Sequence, residues 1–363
     1  MSVQVGYKKQ FLFGILFVII LLLAIEISMT SYEYLTIPCG LFQNEAFSNL
    51  SYFEIKNICY DTNTLTHGKA PLYHVIPNQH KFTMNINSDG FRGSEIHHNS
   101  EEKYRIFVTG GSTAFGFGST SDRTTITGNL QNLFDIHHED LNVEIINAGI
   151  NGADSYREIL LIKEKLFRFN PNMIISYTGA NDRFKYLKEI IFEEADDDWK
   201  PDALKFANYP WLRTPFVINK IITQDIVKQD TGKQPNLDEI AEAFRKNWSQ
   251  SCSFLRDNGI KSIVILQPIL TTKEFPSLFE KELLLDHTKV DEFITAQNFS
   301  ENLPLLNEEC DLTIDLRNGM DDTLETTYYD TGHMNDFGNG IIALKIYEKI
   351  LPTILNDIDK IKD

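Results

Sequence analysis

Residues 105–113 read Arg105-Ile106-Phe107-Val108-Thr109-Gly110-Gly111-Ser112-Thr113, a short apolar run that ends on two glycines and two hydroxyls. Such a run predicts a buried strand that turns sharply into a helix, with the glycines permitting the turn. Runs of similar character at 143–147, 173–178 and 262–266 predict three further strands. Between the last two lies a well-marked helix, in which Leu237, Ile240, Ala241, Phe244, Trp248, Cys252 and Leu255 make one apolar stripe. Asn236 is placed to cap it with Glu239 completing the box, and Gly259 closes it. Strands alternating with helices predict a parallel sheet covered on both faces. Right-handed crossovers then open all strand carboxyl ends on one edge.

Four segments fall on that edge: Ser112 after the first strand, Asn147-Ala148-Gly149-Ile150-Asn151-Gly152 after the second, Gly179-Ala180-Asn181-Asp182 after the third, and Asp330 with His333 near the C-terminus. A turn at Ser112 would present its hydroxyl and its own N–H to one bound carbonyl. Asp330 and His333, three residues apart, can hold one imidazole nitrogen on the carboxylate while the other faces the serine. The apolar spacing of Ile341, Ile342, Ala343, Leu344, Tyr347 and Ile350 sets His333 at the entrance of a C-terminal helix. A phosphate loop is excluded because no lysine follows the glycines at the required spacing, and Gly116-Phe117-Gly118 does not continue into a dinucleotide fingerprint. The Gly110-x-Ser112 step is similar to the nucleophile elbow of α/β-hydrolases, but Ala114 stands where that motif has glycine.

Taken in order, these four motifs resemble the SGNH or GDSL family of serine esterases and lipases over roughly residues 104–355. The resemblance implies a flavodoxin-like three-layer α/β sandwich, with Ser112 as nucleophile and Asp330 and His333 completing the triad. It also implies that Ser112, Gly152 and Asn181 receive the oxyanion, and it implies no cofactor. Two positions depart from the family pattern: Gly111 stands where Gly-Asp-Ser has aspartate, and Met334 stands where proline is frequent.

The N-terminus carries a second signal. An uncharged apolar run at 11–25, preceded by Lys8 and Lys9, approaches the length needed to cross a bilayer once extended past Glu26 to Ser31. Ser28-Met29-Thr30 makes a poor cleavage site and Cys39 an unconvincing lipoprotein site. The expectation is an uncleaved signal anchor at 11–31 behind a cytoplasmic tail at 1–10, with Glu26 near the outer interface, Tyr32 and Tyr34 in an aromatic belt, and the remainder outside. A formal net charge of −17 excludes nucleic acid and anionic membrane surfaces as electrostatic partners. The 4 cysteines fall in two pairs, Cys39 and Cys59 in the extension at 32–103 and Cys252 and Cys310 in the main domain. Outside the cytoplasm two local disulfides are an option, with buried free thiols the alternative.

The extension at 32–103 shows no sustained helical period. Its phrase Asn87-Ser88-Asp89-Gly90-Phe91-Arg92-Gly93 reads as a strand and turn against the sheet edge, and also looks like the lead-in of membrane-tethered family members. Within the hydrolase-like domain at 104–358, residues 186–235 and 270–328 exceed a minimal domain and are expected as insertions, either of which could cap the cleft. The first holds the acidic cluster Glu193, Glu194, Asp196, Asp197 and Asp198 with Trp199, Tyr209 and Trp211. The cluster reads as a solvated face, and the aromatics could stack on a sugar ring. His97/His98 and His137/His138 are adjacent rather than one helical turn apart, so no metal site is assigned. The expected function is a membrane-tethered esterase acting on acyl or acetyl groups of lipids or cell-surface glycans. An acyltransferase with the same acyl-enzyme, or a non-catalytic carbohydrate-binding module, are the alternatives.

Overall fold

The computed structural model describes residues 6–68, 72, 74–97, 103–182, 211–222, 237–285 and 289–362. In chain order the elements begin with helix α1 (Tyr7–Thr36), helix α2 (Tyr52–Thr64) and a small ribbon of strands β1 (Gln79–His80) and β2 (Asn85–Ile86). There follow β3 (Tyr104–Gly110), α3 (Ser112–Phe115), α4 (Ile126–His137), β4 (Val143–Asn147), α5 (Ser155–Glu164) and β5 (Met173–Thr178). The second half holds α6 (Thr214–Ile222), α7 (Leu237–Asp257), β6 (Lys261–Leu266), α8 (Leu278–Leu283), α9 (Lys289–Asn302), β7 (Leu312–Asp315) and α10 (Asp336–Lys362).

Five parallel strands form one sheet in the order β4-β3-β5-β6-β7. Numbered within the sheet this is the flavodoxin-like order 2-1-3-4-5, in which the winding reverses at the first strand. The loops leaving β3 and β5 therefore part at the sheet's carboxyl edge and leave a crevice there. Side chains alternate across the sheet as the strand period demands. Phe107, Ile146, Ile174 and Val264 pack under Ile159, Ile162, Phe244 and Trp248 of α5 and α7. Ile106, Val108, Ile175, Ile263, Ile265 and Ile314 pack under Leu130 and Phe134 of α4 and Ile342, Ile346 and Ile350 of α10. Each such buried side chain contributes about 1.5–3 kcal/mol.

The stripe on α7 is buried from Ile240 onward with Leu237 half-buried, and Ile260 N–H donates to the Leu255 carbonyl at 2.9 Å around Gly259, whose φ is +72°. Asn236 lies outside the described residues. Cys252 of α7 is disulfide-bonded to Cys310, and Cys39 to Cys59.

Three expectations need correction. Residues 32–103 do contain helix: α1 continues to Thr36, and α2 is opened by a capping box of Ser51 and Glu54. Lys56 and Asp61 share the buried side of α2 with Ile55, Ile58 and Cys59, so its apolar period is blurred. Lys56 Nζ donates to the Ile37 carbonyl at 2.7 Å, and Asp61 accepts from the N–H and hydroxyl of Thr83. Residues 270–328 are not merely an addition over the cleft, since they supply β7, the fifth strand. That strand is short, lies at the sheet edge and carries two half-buried positions, which leaves little pattern to read. Tyr34 does not stand in a belt with Tyr32. Its ring lies 5.1 Å from that of Tyr60, and its hydroxyl donates to Asn57 at 3.0 Å.

The lower part of α1 is exposed and apolar, long enough by length and composition to span a membrane. Its last turns join the body, where Glu33 is buried and takes two hydrogen bonds from the Arg213 guanidinium at 2.8 and 2.9 Å. Glu26 accepts from the backbone N–H groups of Arg213 and Thr214, and so caps the first turn of α6. Edge strand β4 is shielded by Gln131 of α4. That amide donates to the Val143 carbonyl at 3.0 Å and accepts from the Ile145 N–H at 2.7 Å.

Candidate active site

Ser112 is the first residue of the single-turn helix α3, so its N–H has no intrahelical acceptor. The carbonyl end of this turn is held from two directions. Asn147, at the end of β4, donates to the Ala114 and Phe115 carbonyls at 3.0 and 3.2 Å. Arg92 donates to the Phe115 and Gly116 carbonyls at 3.2 and 2.7 Å, and its Nε is 2.8 Å from Asp122. Arg92 also bridges the backbone of Asn147, so the phrase around it does pack on the sheet edge. Its grip on the serine's turn was not legible in the sequence, where one arginine in a turn phrase is the sole signal.

His333 and Asp330 sit on a tight hairpin rather than on a plain helix entrance. Tyr328 and Met334 bridge antiparallel, and the Tyr329 N–H donates to the His333 carbonyl at 3.1 Å. Asp330 Oδ1 accepts from the N–H groups of Gly332 and His333 at 2.9 and 2.7 Å, which fixes the turn. Its Oδ2 lies 2.8 Å from His333 Nδ1, and His333 Nε2 lies 2.6 Å from Ser112 Oγ. Burial raises the Asp330 pKa, but the hydrogen bonds from the His333 ring and from the two backbone N–H groups outweigh it and hold the carboxyl below its ordinary value. The root of the hairpin is held by Glu280 of α8, which accepts from the N–H groups of Thr327 and Tyr328 at 2.8 and 3.0 Å. Glu280 is itself paired with Lys273 at 2.7 Å, both side chains fully buried.

Asn181 lies beside the serine's turn. Its Nδ2 donates to the Ala153 carbonyl at 2.8 Å, tying it to the segment that contains Gly152, where φ is +65°. Gly111, just before Ser112, has no room for a side chain, since a Cβ there would stand 2.3 Å from Asn181 Nδ2. The glycine that departs from Gly-Asp-Ser is thus accommodated to the amide opposite. Behind Asn181, Asp182 is fully buried and accepts from the hydroxyl and N–H of Ser155 at 2.5 and 3.1 Å. Burial, aided by the nearby Asp154 charge, pushes its carboxyl up to about 7. Glu158 of α5, also buried, accepts from Thr109 and Thr178 at 3.0 and 2.6 Å, bridging the ends of β3 and β5 beneath the crevice. Burial drives its pKa well above the ordinary value, and the hydrogen bonds from Thr178 and Thr109 offset this only in part.

Ser112, His333, Asp330 and Asn181 therefore meet at the carboxyl edge of the sheet, with Gly152 on the adjoining loop. The acidic cluster at 193–198, Trp199 and Tyr209 lie outside the described residues. Trp211 is exposed and stands two residues before Arg213, the partner of Glu33 on α1. Of the paired histidines, His97 is hydrogen-bonded to Glu144 at 2.8 Å, His137 and His138 lie beside Tyr347, and His98 lies outside the described residues.

No family model matches the chain, and no curated protein matches it. Solved structures with a similar chain path include the acetyl xylan esterase AlAXEase, at 16% identity, covering 68% of this chain and 99% of that one with a TM-score of 0.42. The acetylxylan esterase Axe2 from Geobacillus stearothermophilus shows 14% identity, covering 70% of this chain and 96% of that one at 0.41. A GDSL-like lipase from Parabacteroides merdae shows 12% identity, covering 69% of this chain and 96% of that one at 0.44. Identities and scores this low leave the functional reading to the chain's own chemistry.

Proposed function

We propose that the chain is a serine ester hydrolase working through an acyl-serine intermediate. The observation that carries this is the unbroken run from Ser112 Oγ through the His333 ring to Asp330, with contacts of 2.6 and 2.8 Å. In this reading Ser112 Oγ attacks the acyl carbon while His333 Nε2 takes its proton, and Asp330 stabilises the imidazolium. The carbonyl oxygen becomes an oxyanion received by the N–H of Ser112, the amide of Asn181 and the N–H of Gly152, the last assigned by its place in the loop after β4. As the tetrahedral species collapses, the C–O bond to the alcohol breaks and Nε2 returns the proton to the departing oxygen. Water, deprotonated by the same nitrogen, then releases the acid.

The substrate class we assign is acyl or acetyl esters of lipids or cell-surface glycans, met at a membrane by a domain held there on α1. Supporting this placement are the exposed apolar length of α1, the lysines Lys8 and Lys9 before it, and two disulfides, which persist outside the reducing cytoplasm. The test is fluorophosphonate labelling of the full chain in detergent, with hydrolysis of p-nitrophenyl esters from acetyl to long-chain and of acetylated glycans. The expected result is labelling and turnover that Ser112→Ala abolishes. Equal labelling of Ser112→Ala, or none of the native chain, overturns the proposal.

A further inference from the structure

The segment that follows α1 is closed on itself by the Cys39–Cys59 disulfide around a small apolar centre of Phe47, Ile55 and Ile58. One side chain from the far end of the sequence belongs to that centre. Tyr329, next to Asp330, packs there with its ring centroid 5.1 Å from Phe47. Asn44 Nδ2 donates to the Tyr329 carbonyl at 2.7 Å, and Asn335 Nδ2 donates to the Ala46 carbonyl at 3.1 Å. The Tyr329 ring in turn lies nearly parallel to the His333 imidazole, at 5.6 Å between centroids and 13° between planes. Gly118 makes room for it, since a Cβ there would stand 2.3 Å from the ring.

We infer that Asn44 and Phe47 are positioning residues for His333, acting through Tyr329. The reason lies in what each contact restrains. Asp330 holds Nδ1 and so fixes one end of the imidazole, but a hydrogen bond at one nitrogen leaves the ring free to tilt about it. The Tyr329 ring against the imidazole limits that tilt more closely than Phe117, whose ring centroid lies 6.5 Å away at 29°. Tyr329 can do this only while its own ring is wedged by Phe47 and its backbone is held by Asn44. The loop after α1 thus sets where Nε2 stands relative to Ser112 Oγ, a distance on which proton transfer depends steeply, a misplacement of about 1 Å costing about 10²-fold.

The inference rests on the hydrolase reading above, and its test separates the two. Asn44→Asp keeps the acceptor that caps the Ala46 N–H, at 3.0 Å in the native chain, and replaces the donor to the Tyr329 carbonyl by a carboxylate oxygen that repels it. Phe47→Ala removes the wedge, and Asn44→Asp keeps the test decisive where Phe47→Ala does not fold. In the full chain, two quantities are read: hydrogen–deuterium exchange of residues 327–335, and ester turnover across pH. The expected result is faster exchange confined to the hairpin, and a fall in kcat of about 10- to 10²-fold with KM nearly unchanged. The midpoint of the kcat profile against pH should also move. Unchanged exchange and turnover overturn the inference, as does faster exchange with native kcat, which reduces the loop to a structural support. Absence of Ser112-dependent turnover in the native chain instead sinks the hydrolase reading, and the exchange result still decides whether the loop braces the hairpin.

Discussion

Gly111 and Asn181 share one space, in which a Cβ on the glycine would stand 2.3 Å from the amide nitrogen of the asparagine. The backbone at Gly111 is extended, with φ at −79°, so alanine is excluded there by the neighbour and not by the turn. Gly111→Ala is expected to push the Asn181 amide out of the proposed oxyanion site. Loss of one such donor lowers turnover by about 10² to 10³. Gly111→Ala should approach the deficit of Asn181→Ala, and the double variant should be little worse than either, as steady-state kinetics on p-nitrophenyl acetate would reveal. Additive deficits would mean that the glycine acts elsewhere.

Much of the candidate site was legible in the sequence because each proposed catalytic side chain lies at a strand end or turn with a strong local pattern. The strands at 105–109, 143–147, 173–178 and 262–266 are mostly apolar because both faces are covered, so they stand out as short runs broken only by single residues such as Glu144 and Ser176. Arg92, Glu280 and Asn44 carry no such pattern. Each acts on backbone carbonyls or N–H groups of a segment remote in the chain, and nothing local to the residue announces its target. The same holds for α2, whose buried Lys56 and Asp61 find partners only once the chain is folded.

Asp182 makes stability depend on pH. Its carboxyl is pushed up to about 7 in the folded chain, against an ordinary value of about 3.9. The folded state therefore holds the proton more tightly, and the stabilisation is complete below about pH 4 and lost as pH rises through about 7. Asp182→Asn keeps an oxygen for the Ser155 donors without a charge to bury. Urea denaturation from pH 4 to 8 should show the decline with pH flattened, with the remainder due to Glu158, and a more stable variant at pH 8. An unaltered slope would refute this role.

Glu280 and Lys273 form an ion pair with both side chains fully buried. Truncating one partner leaves an uncompensated charge, so Glu280→Ala should destabilise the chain by about 3–5 kcal/mol. Burial raises the Glu280 pKa, but Lys273 and the N–H groups of Ser277, Tyr328 and Thr327 outweigh it and lower it. Its stabilisation is thus present above the ordinary carboxylate value and lost on acidification below it. The check is denaturant unfolding of the variant at neutral pH, where a change under about 1 kcal/mol would contradict a buried pair.

The two disulfides close loops of different size, with separations of 20 and 58 residues. Chain entropy assigns them about 3 and about 4 kcal/mol respectively. Cys252→Ser/Cys310→Ser should therefore destabilise more than Cys39→Ser/Cys59→Ser in chemical denaturation. The reverse order would show that the smaller loop holds contacts worth more than its closure.

Gln131 satisfies the outward-facing carbonyl of Val143 and N–H of Ile145 with a side chain that presents one donor and one acceptor, as a neighbouring strand would. An open border of a parallel sheet invites a second molecule to dock along it and extend the sheet from copy to copy. Here the Gln131 amide covers one end of that border, and the bridge from Arg92 to Asn147 covers the other. Stacking of folded copies through β4 would first have to break the two Gln131 hydrogen bonds and the one from the Arg92 N–H to the Asn147 carbonyl.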